Sequence, residues 1–211
     1  VVSPDVREKL LAGEISLGGE NRRVTVLFSD IRSFSTLCEK MSPQDVVTFL
    51  NEYLTEMSDA VKPFGGYINN FIGDAVVVIF GAPQAQPDTE WSAVAAGREM
   101  KARLEAINSR RAALGDEALA AGIGISTGKV VAGQVGSLER FMYTVIGDAV
   151  NVAARLEAMT KDVPGNPILI NAATYEGIRH RGDLKIDDLG SLVVKGRSEL
   201  VHVYAVGGEA A

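Results

Sequence analysis

The chain is poor in side chains that form disulfides or nitrogen-ligated metal centres, because its 211 residues include one cysteine and two histidines. A single cysteine, Cys38, excludes an intrachain disulfide and suits a reducing compartment. His180 and His202 have no clustered partners in the sequence, so we expect neither to be a metal ligand or a catalytic base. The chemistry is therefore expected to depend on other side chains.

Long apolar runs and an excess of basic charge are also missing. No run approaches the roughly 20 apolar residues that span a bilayer, and the net charge of −6 gives no sign of nucleic-acid binding. We therefore expect a cytoplasmic domain that contacts neither nucleic acid nor membrane. Because the chain begins with Val1, we also expect a longer parent protein with an upstream sensor or transducer domain, and a membrane anchor there is compatible with this.

Apolar content of 46% suits a packed core, and the periodicity of the sequence predicts its elements. Ser42 followed by Pro43 is typical of a helix start. The predicted strands lie at 23–29, 67–72, 75–80, 119–126, 168–170, 184–189, 192–195 and 200–206, and the predicted helices at 4–12, 43–62, 89–113, 148–159 and 172–179.

This order predicts an α+β fold with a ferredoxin-like βαββαβ core, extended by C-terminal strands and a helix. We expect residues 1–22 to form a connector to upstream regions and residues 23–207 to form the single functional domain. Function does not follow from this fold, because ferredoxin-like cores carry many activities.

Two aspartates beside predicted strands are the most informative residues. Asp30 ends the first strand, and Asp74 follows Gly73 in the turn between the second and third strands. A carboxylate at the rim of a buried sheet is costly to desolvate unless it is paired or binds a cation. Asp74 could simply satisfy the backbone of its turn. Together, however, the two carboxylates favour Mg²⁺ or Mn²⁺ and chemistry on a nucleoside triphosphate.

Four segments, in this order, resemble the motifs of class III nucleotidyl cyclases. They are Phe28–Ser35, Gly66–Asp74, Gly122–Lys129 and Tyr143–Leu156. Four motifs in the expected order are more specific than any one of them, and the similarity covers nearly the whole chain. The resemblance implies an adenylyl cyclase that converts ATP to 3',5'-cyclic AMP and pyrophosphate.

The resemblance also implies which residues bind metal and phosphate. Asp30, Asp74 and the main-chain carbonyl of Ile31 match the groups that hold two Mg²⁺ or Mn²⁺ ions per active site in the family. Phe34 and Ser35 match the segment whose N–H groups cradle the β- and γ-phosphates.

Further matches concern the rest of the triphosphate. Asn151 and Arg155, four residues apart on a predicted helix, match the pair that orients the ribose and stabilises charge on the α-phosphate. A solvated helix face is the alternative interpretation of this pair. Lys129 and Lys195 match phosphate-binding cations, although lone lysines are commonly surface charges. Most relatives carry Gly where this chain has Ser33.

Asn70 and Thr144 match the two purine-reading positions. Adenylyl members usually place Lys and Asp there, whereas guanylyl members place Glu and a smaller residue. Asn70 can hydrogen-bond either purine, and Thr144 occurs at its position in a bacterial subgroup that is adenylyl-specific. The resemblance therefore favours ATP over GTP.

Family members complete their sites only across a dimer. This chain carries both the aspartates and the Asn/Arg pair, so the resemblance implies a homodimer with two shared sites. Two alternatives stay open: a guanylyl cyclase that makes cyclic GMP from GTP, and a non-catalytic nucleotide-binding regulatory module. A diguanylate cyclase is not favoured, because the chain lacks the Gly-Gly-Asp/Glu-Glu-Phe signature.

Overall fold

The computed structural model describes residues 19–137, 140–193 and 200–207. These residues form one mixed sheet with helices on both faces. The strands are β1 (Glu20–Ile31), β2 (Tyr67–Ile72), β3 (Ala75–Phe80), β4 (Ala121–Ser137), β5 (Arg140–Ile146), β6 (Ile168–Asn171), β7 (Ile186–Val193) and β8 (Leu200–Val206). The α-helices are α1 (Phe34–Cys38), α2 (Pro43–Val61), α3 (Thr89–Leu114), α4 (Asp148–Met159) and α5 (Ala172–Ile178).

The predicted ferredoxin-like core is confirmed by the strand order. The sheet runs β2-β3-β1-β4-β6-β8-β7, and β5 pairs with β4 outside this path. Neighbouring strands in the order β2-β3-β1-β4 are antiparallel, and the pair β4–β6 is parallel. Residues 121–132 of β4 pair with β1, and residues 131–137, at the far end of β4, pair with β5. We call this projecting β4–β5 hairpin the arm.

Strand β1 separates two apolar layers, since successive side chains point to opposite faces. Leu27 and Ile31 pack in the core that α2 and α3 cover. Val24 and Val26 pack on the other face, in a second core that includes Ala149 and Ala153 of α4. Asp30 is separated from Val26 by four residues along the strand, so it points to the same side and lies on the α4 face of the sheet.

Two glycines of β4 allow α4 to lie directly on the sheet. A Cβ at Gly124 would collide with the backbone nitrogen of Glu157 and the carbonyl oxygen of Ala153. A Cβ at Gly122 would collide with the side chains of Arg32, Glu157 and Thr160. The Gly122-Ile-Gly124 sequence thus brings the C-terminal turn of α4 next to the end of β1, because Gly122 pairs with Asp30.

Several elements agree with the sequence predictions, and others differ. Helix α2 begins after Ser42, whose side chain accepts from the Asp45 N–H as predicted. The predictions missed β5 and the long extension of β4, and they divided the single strand β7 in two. β1 runs from residue 20 to 31 rather than 23 to 29. The predicted helix at 4–12 lies outside the described residues, and the proposed domain division stays a prediction.

Replacing Gly124 by Ala is expected to destabilise the protein, because α4 must move away from β4 to admit the new methyl group. We expect the free energy of unfolding to fall by about 1–3 kcal/mol, measured by urea denaturation. Gly182→Ala is the matched control, since a Cβ at that position meets no atom within 4 Å. If Gly124→Ala unfolds at the same urea concentration as the wild type, the close packing of α4 on β4 is contradicted.

Candidate active site

The carboxylates of Asp30 and Asp74 meet at one end of the sheet. Asp74 lies in the turn between β2 and β3, after Gly73, which has a φ of 65°. Because Ser29 pairs with Val76, this turn lies beside the end of β1. The two carboxyl groups are close enough to hydrogen-bond, and the Ile31 N–H donates to Asp74 Oδ2 at 3.1 Å. The predicted juxtaposition of these two aspartates is therefore found.

The electrostatics of this pair favour a bound cation. Burial raises the pKa of Asp30 to about 7, and the hydrogen bond and charge of Asp74 and the charge of Glu157 add to the rise. Two carboxylates this close cannot both ionise cheaply without a compensating positive charge. The described residues contain no group of three or more His, Cys, Asp or Glu side chains that could hold a metal ion. Two carboxylates with a nearby carbonyl instead suit Mg²⁺ or Mn²⁺, which complete their coordination with water and substrate phosphates.

The predicted phosphate-binding segment follows these carboxylates directly. Ser33 has a φ of 55°, the left-handed conformation that favours glycine, and it precedes α1. Phe34 stacks on Phe49 of α2 with their ring centroids 6.2 Å apart, which fixes α1 against the core. Ser35 is exposed. The segment is therefore held beside the carboxylates, and its contact with phosphates stays a prediction.

Lys129, one of the two predicted phosphate-binding lysines, lies far along β4 from the aspartates of its own chain. Lys129 lies on β4 seven residues beyond Gly122, the residue that pairs with Asp30. At about 3.3 Å per residue this separation is roughly 23 Å along the strand. Lys129 therefore does not contact the aspartates of its own chain directly. Lys195 lies outside the described residues, so its role stays a prediction.

Asn70, the first predicted purine-reading residue, shares a face of the sheet with Asp30. It pairs with Val77 of β3, which in turn pairs with Phe28 of β1. Laterally paired side chains point to the same face, so Asn70 and Phe28 lie on the face that carries Asp30. The Asn70 side chain accepts a hydrogen bond from Asn69 Nδ2 at 2.9 Å.

Thr144, the second predicted purine-reading residue, lies on the opposite face of the arm. Its neighbours Tyr143 and Val145 are buried in the α4-side core, so Thr144 points the other way. The apolar residues that alternate with it on this outward face are all exposed: Val131, Val135, Met142 and Ile146, at 42–57%. Thr144 therefore stands in an exposed apolar surface, away from Asn70 of its own chain.

Asn151 and Arg155 lie on the side of α4 that faces away from the sheet. Ala153 and Glu157 touch Gly124 of β4, so they define the inward side of the helix. Asn151 and Arg155 each precede one of those residues by two positions, which is about 200° around the helix. Asn151 is exposed and Arg155 partly buried. The pair shares one face as predicted, but this face is directed away from the Asp30 and Asp74 carboxylates of the same chain.

The sequence predictions missed a buried polar cluster behind Asp30. Arg32 forms an ion pair with Glu157 at 3.2 Å and donates to the side chain of Thr160. The side chain of Glu157 is 10% exposed. Burial raises the pKa of Glu157, partly offset by Arg32. The sequence did contain a signal for this cluster. Glu157 lies four positions after Ala153 and places a charge in the otherwise apolar stripe on the inward face of the helix.

Comparison with known proteins shows the family. Residues 19–207 match the family described as Adenylate and Guanylate cyclase catalytic domain. Adenylate cyclase 1 of Rhizobium meliloti (strain 1021) is 38% identical over 187 residues, covering 89% of this chain and 28% of that protein. Adenylate cyclase of Anabaena cylindrica is 36% identical over 212 residues, covering 98% and 40%. This chain therefore spans less than half the length of either relative.

Solved structures of cyclases share the fold. The adenylyl cyclase CyaB from P. aeruginosa is 35% identical with a TM-score of 0.84, covering 92% of this chain and 98% of that chain. The guanylyl cyclase Cya2 is 38% identical with a TM-score of 0.79, covering 92% and 96%. A guanylyl cyclase domain from Blastocladiella emersonii, described as non-canonical dimeric, is 26% identical with a TM-score of 0.75, covering 90% of this chain and 99% of that chain.

Asp30→Asn is expected to stabilise the metal-free protein at pH 8. The pKa of Asp30 is 3.8 in the unfolded chain and about 7 in the folded protein. Between these two pH values the folded protein keeps a proton that the unfolded chain has released. Stability is therefore lost as pH rises through that window. An uncharged amide does not lose stability in this way. After allowance for solvent screening, we expect the free energy of unfolding of Asp30→Asn to exceed that of the wild type by on the order of 1 kcal/mol. Thermal unfolding in EDTA measures the difference.

The same experiment with Mn²⁺ should reverse the order of the two proteins, because a ligand that binds only the folded state raises its melting temperature. We expect Mn²⁺ to stabilise the wild type and to leave Asp30→Asn nearly unchanged. The control is Asp59→Asn, at a carboxylate on α2 that pairs with Lys62 just beyond the helix, and it should retain the wild-type response. An equal response of Asp30→Asn and wild type would refute metal binding at Asp30.

Proposed function

The chain belongs to the family of adenylate and guanylate cyclase catalytic domains, and we propose that it converts ATP to 3',5'-cyclic AMP and pyrophosphate. The observation that carries this proposal is the contact between the Asp30 and Asp74 carboxylates at the end of the sheet. Asp30, Asp74 and the Ile31 carbonyl would hold two Mg²⁺ or Mn²⁺ ions, which activate the ribose 3'-hydroxyl and neutralise the triphosphate.

The remaining groups bind and orient the nucleotide. We assign the N–H groups of Phe34 and Ser35 to the β- and γ-phosphates, with Lys129 and Lys195 as further phosphate-binding cations. Asn151 would orient the ribose through its amide. Arg155 would stabilise the charge that develops on the α-phosphate, a task suited to a permanently charged planar donor.

These groups require two chains. Asn151 and Arg155 face away from their own sheet, and Lys129 is roughly 23 Å along β4 from the residue beside Asp30. A second copy that packs against the outward face of α4 would bring its own aspartates to this pair. The exposed apolar surface of the arm, around Thr144, supports such an association, because contiguous apolar patches commonly mark interfaces. We therefore propose a homodimer with two shared sites.

The purine is proposed to be adenine. Asn70 and Thr144 are both neutral, and a hydroxyl at Thr144 can accept from the exocyclic amine of adenine. Neither residue supplies the carboxylate that would accept from both N1–H and the exocyclic amine of guanine. A guanylyl cyclase is the second candidate, because the guanylyl cyclase Cya2 is as similar to this chain as the adenylyl cyclase CyaB.

The setting of the domain is also a proposal. In the described parts of the chain, no helix combines the length and the apolar character needed to cross a membrane. We propose a cytoplasmic catalytic domain under the control of an upstream sensor or transducer domain. A non-catalytic nucleotide-binding module is disfavoured because the metal-binding carboxylates and the Asn151/Arg155 pair are both present.

Incubation with ATP or GTP in Mn²⁺, followed by separation of the cyclic products, tests the activity and the purine. We expect cyclic AMP to form at least about fivefold faster, because an unpaired buried polar group costs about 1 kcal/mol or more. Thr144→Val should lower the rate with ATP about fivefold, whereas Thr144→Ser, which keeps the hydroxyl, should not. Faster formation of cyclic GMP would favour the second candidate. No cyclic product from either nucleotide, with an intact dimer, would favour a regulatory module.

Mixing two inactive variants tests the shared sites. Asp30→Ala and Arg155→Ala should each be inactive alone, because each damages both sites of its own homodimer. In a 1:1 mixture roughly half the dimers are mixed and each has one intact site, so about a quarter of the wild-type activity should return.

A mixture of Asp30→Ala with Asp74→Ala is the matched control. Both changes damage the metal-binding carboxylates, so every dimer in it lacks an intact site and no activity should return. Co-expression with two affinity tags isolates the mixed dimers. If stable mixed dimers of Asp30→Ala and Arg155→Ala chains show no activity, the shared sites are refuted.

A further inference from the structure

Arg32 connects the end of β1 to the C-terminal turn of α4. One guanidinium nitrogen, Nη1, lies 3.2 Å from Glu157 Oε1. The other, Nη2, donates to the Glu157 carbonyl oxygen at 3.2 Å and to Thr160 Oγ1. The Thr160 hydroxyl in turn donates to the same carbonyl at 2.7 Å. A cation at this position also suits the negative end of the α4 dipole.

This cluster is enclosed rather than a loose surface pair. Thr160 is fully buried, the Glu157 side chain is 10% exposed and the Arg32 side chain 24%. The cluster covers Gly122, where any side chain would collide with all three of its members. The backbone N–H of Arg32 also donates to the Ala120 carbonyl oxygen at 2.7 Å, so the position of Arg32 is fixed at both ends.

The two elements joined by Arg32 serve different active sites in the proposed dimer. On one side, Arg32 lies two residues after Asp30 and precedes the phosphate-binding segment. On the other, Glu157 lies two residues after Arg155, whose side chain reaches the aspartates of the second chain. We infer that Arg32 is a positioning residue for both active sites at once, because it fixes the metal-binding end of β1 and the orientation of α4 through one guanidinium. This inference rests on the proposed shared-site homodimer.

Lysine cannot reproduce this connection, although it keeps the charge. The planar fork of the guanidinium holds Nη1 in an ion pair with Glu157 Oε1, which accepts no hydrogen bond from the described residues, while Nη2 donates to Thr160 and to the α4 carbonyl. A lysine ammonium is a single point charge on a flexible stem and would hold one partner at a time. Arg32→Lys should therefore loosen the connection, although Glu157 keeps a cation beside it.

The test uses the mixed dimer of Asp30→Ala and Arg155→Ala chains, which contains one working site. The Arg155→Ala chain supplies the aspartates of that site, and the Asp30→Ala chain supplies Asn151 and Arg155. Arg32→Lys is then added to one chain or to the other. In the Asp30→Ala chain the end of β1 no longer serves a working site, so an effect there can reach the working site only through α4.

We expect each placement to have a distinct effect, on the order of tenfold for a lost supporting contact. Arg32→Lys in the Asp30→Ala chain should lower kcat about tenfold and leave the Mn²⁺ requirement unchanged. The same change in the Arg155→Ala chain should raise the Mn²⁺ concentration for half-maximal rate about tenfold. Arg23→Lys, an equivalent exchange on β1 at an ion pair with Glu90, is the control and should alter neither quantity.

The outcomes separate the inference from the function on which it rests. An active mixed dimer whose kcat is unaffected by Arg32→Lys in the Asp30→Ala chain would overturn the inference alone. A silent mixed dimer without Arg32→Lys would refute the shared sites, and the inference with them. If Arg32→Lys chains do not form folded dimers, Thr160→Val replaces them, because it removes one acceptor of the fork and keeps the side-chain volume. The same pair of effects is then required.

Discussion

The contact between the Asp30 and Asp74 carboxylates is the constraint around which the rest of the structure is arranged. The antiparallel register of β1 and β3 brings the Gly73-Asp74 turn to the end of β1, and burial there raises the pKa of Asp30 to about 7. Such a pair is unfavourable by itself and becomes favourable with divalent cations and a triphosphate. The ferredoxin-like core therefore holds together two carboxylates whose mutual repulsion a divalent cation would relieve.

The position of helix α4 underlies the proposal that two chains are required. Gly124 lets the helix lie directly on β4, with Ala153 and Glu157 inward, and this leaves Asn151 and Arg155 on the outward side. The same rotation that buries the apolar stripe therefore directs Asn151 and Arg155 away from the aspartates of their own chain. In the proposed function this separation is useful, because activity depends on how the two chains are oriented.

Sequence patterns predicted the elements whose signals are local. The Gly73-Asp74 turn, the Ser42 cap and the spacing of α4 depend on residues close in the chain, and the predicted hairpin and helix are found. The arm was missed because β5 gains its partner only from the extension of β4. The Arg32–Glu157 pair spans 125 positions and depends on a glycine opposite both. A charge on the inward face of α4 was a local signal for Glu157, but nothing local identifies Arg32 as its partner. The resemblance showed that most relatives carry Gly at the position of Ser33 but gave no reason. The left-handed backbone conformation of Ser33 supplies the reason, because glycine adopts it most easily.

The path of the chain into β1 suggests how an upstream domain would act on this geometry. Gly19 lies against Gly133 of the arm so closely that a Cβ on Gly133 would approach the Gly19 Cα to 2.6 Å. Gly133 pairs with Thr144, at the centre of the exposed apolar surface. A rotation applied upstream would therefore reach the arm directly, and the proposed interface with it. In the proposed dimer the Asn151/Arg155 pair and the aspartates of a site belong to different chains, so a small change in this interface would suffice to separate the reacting groups.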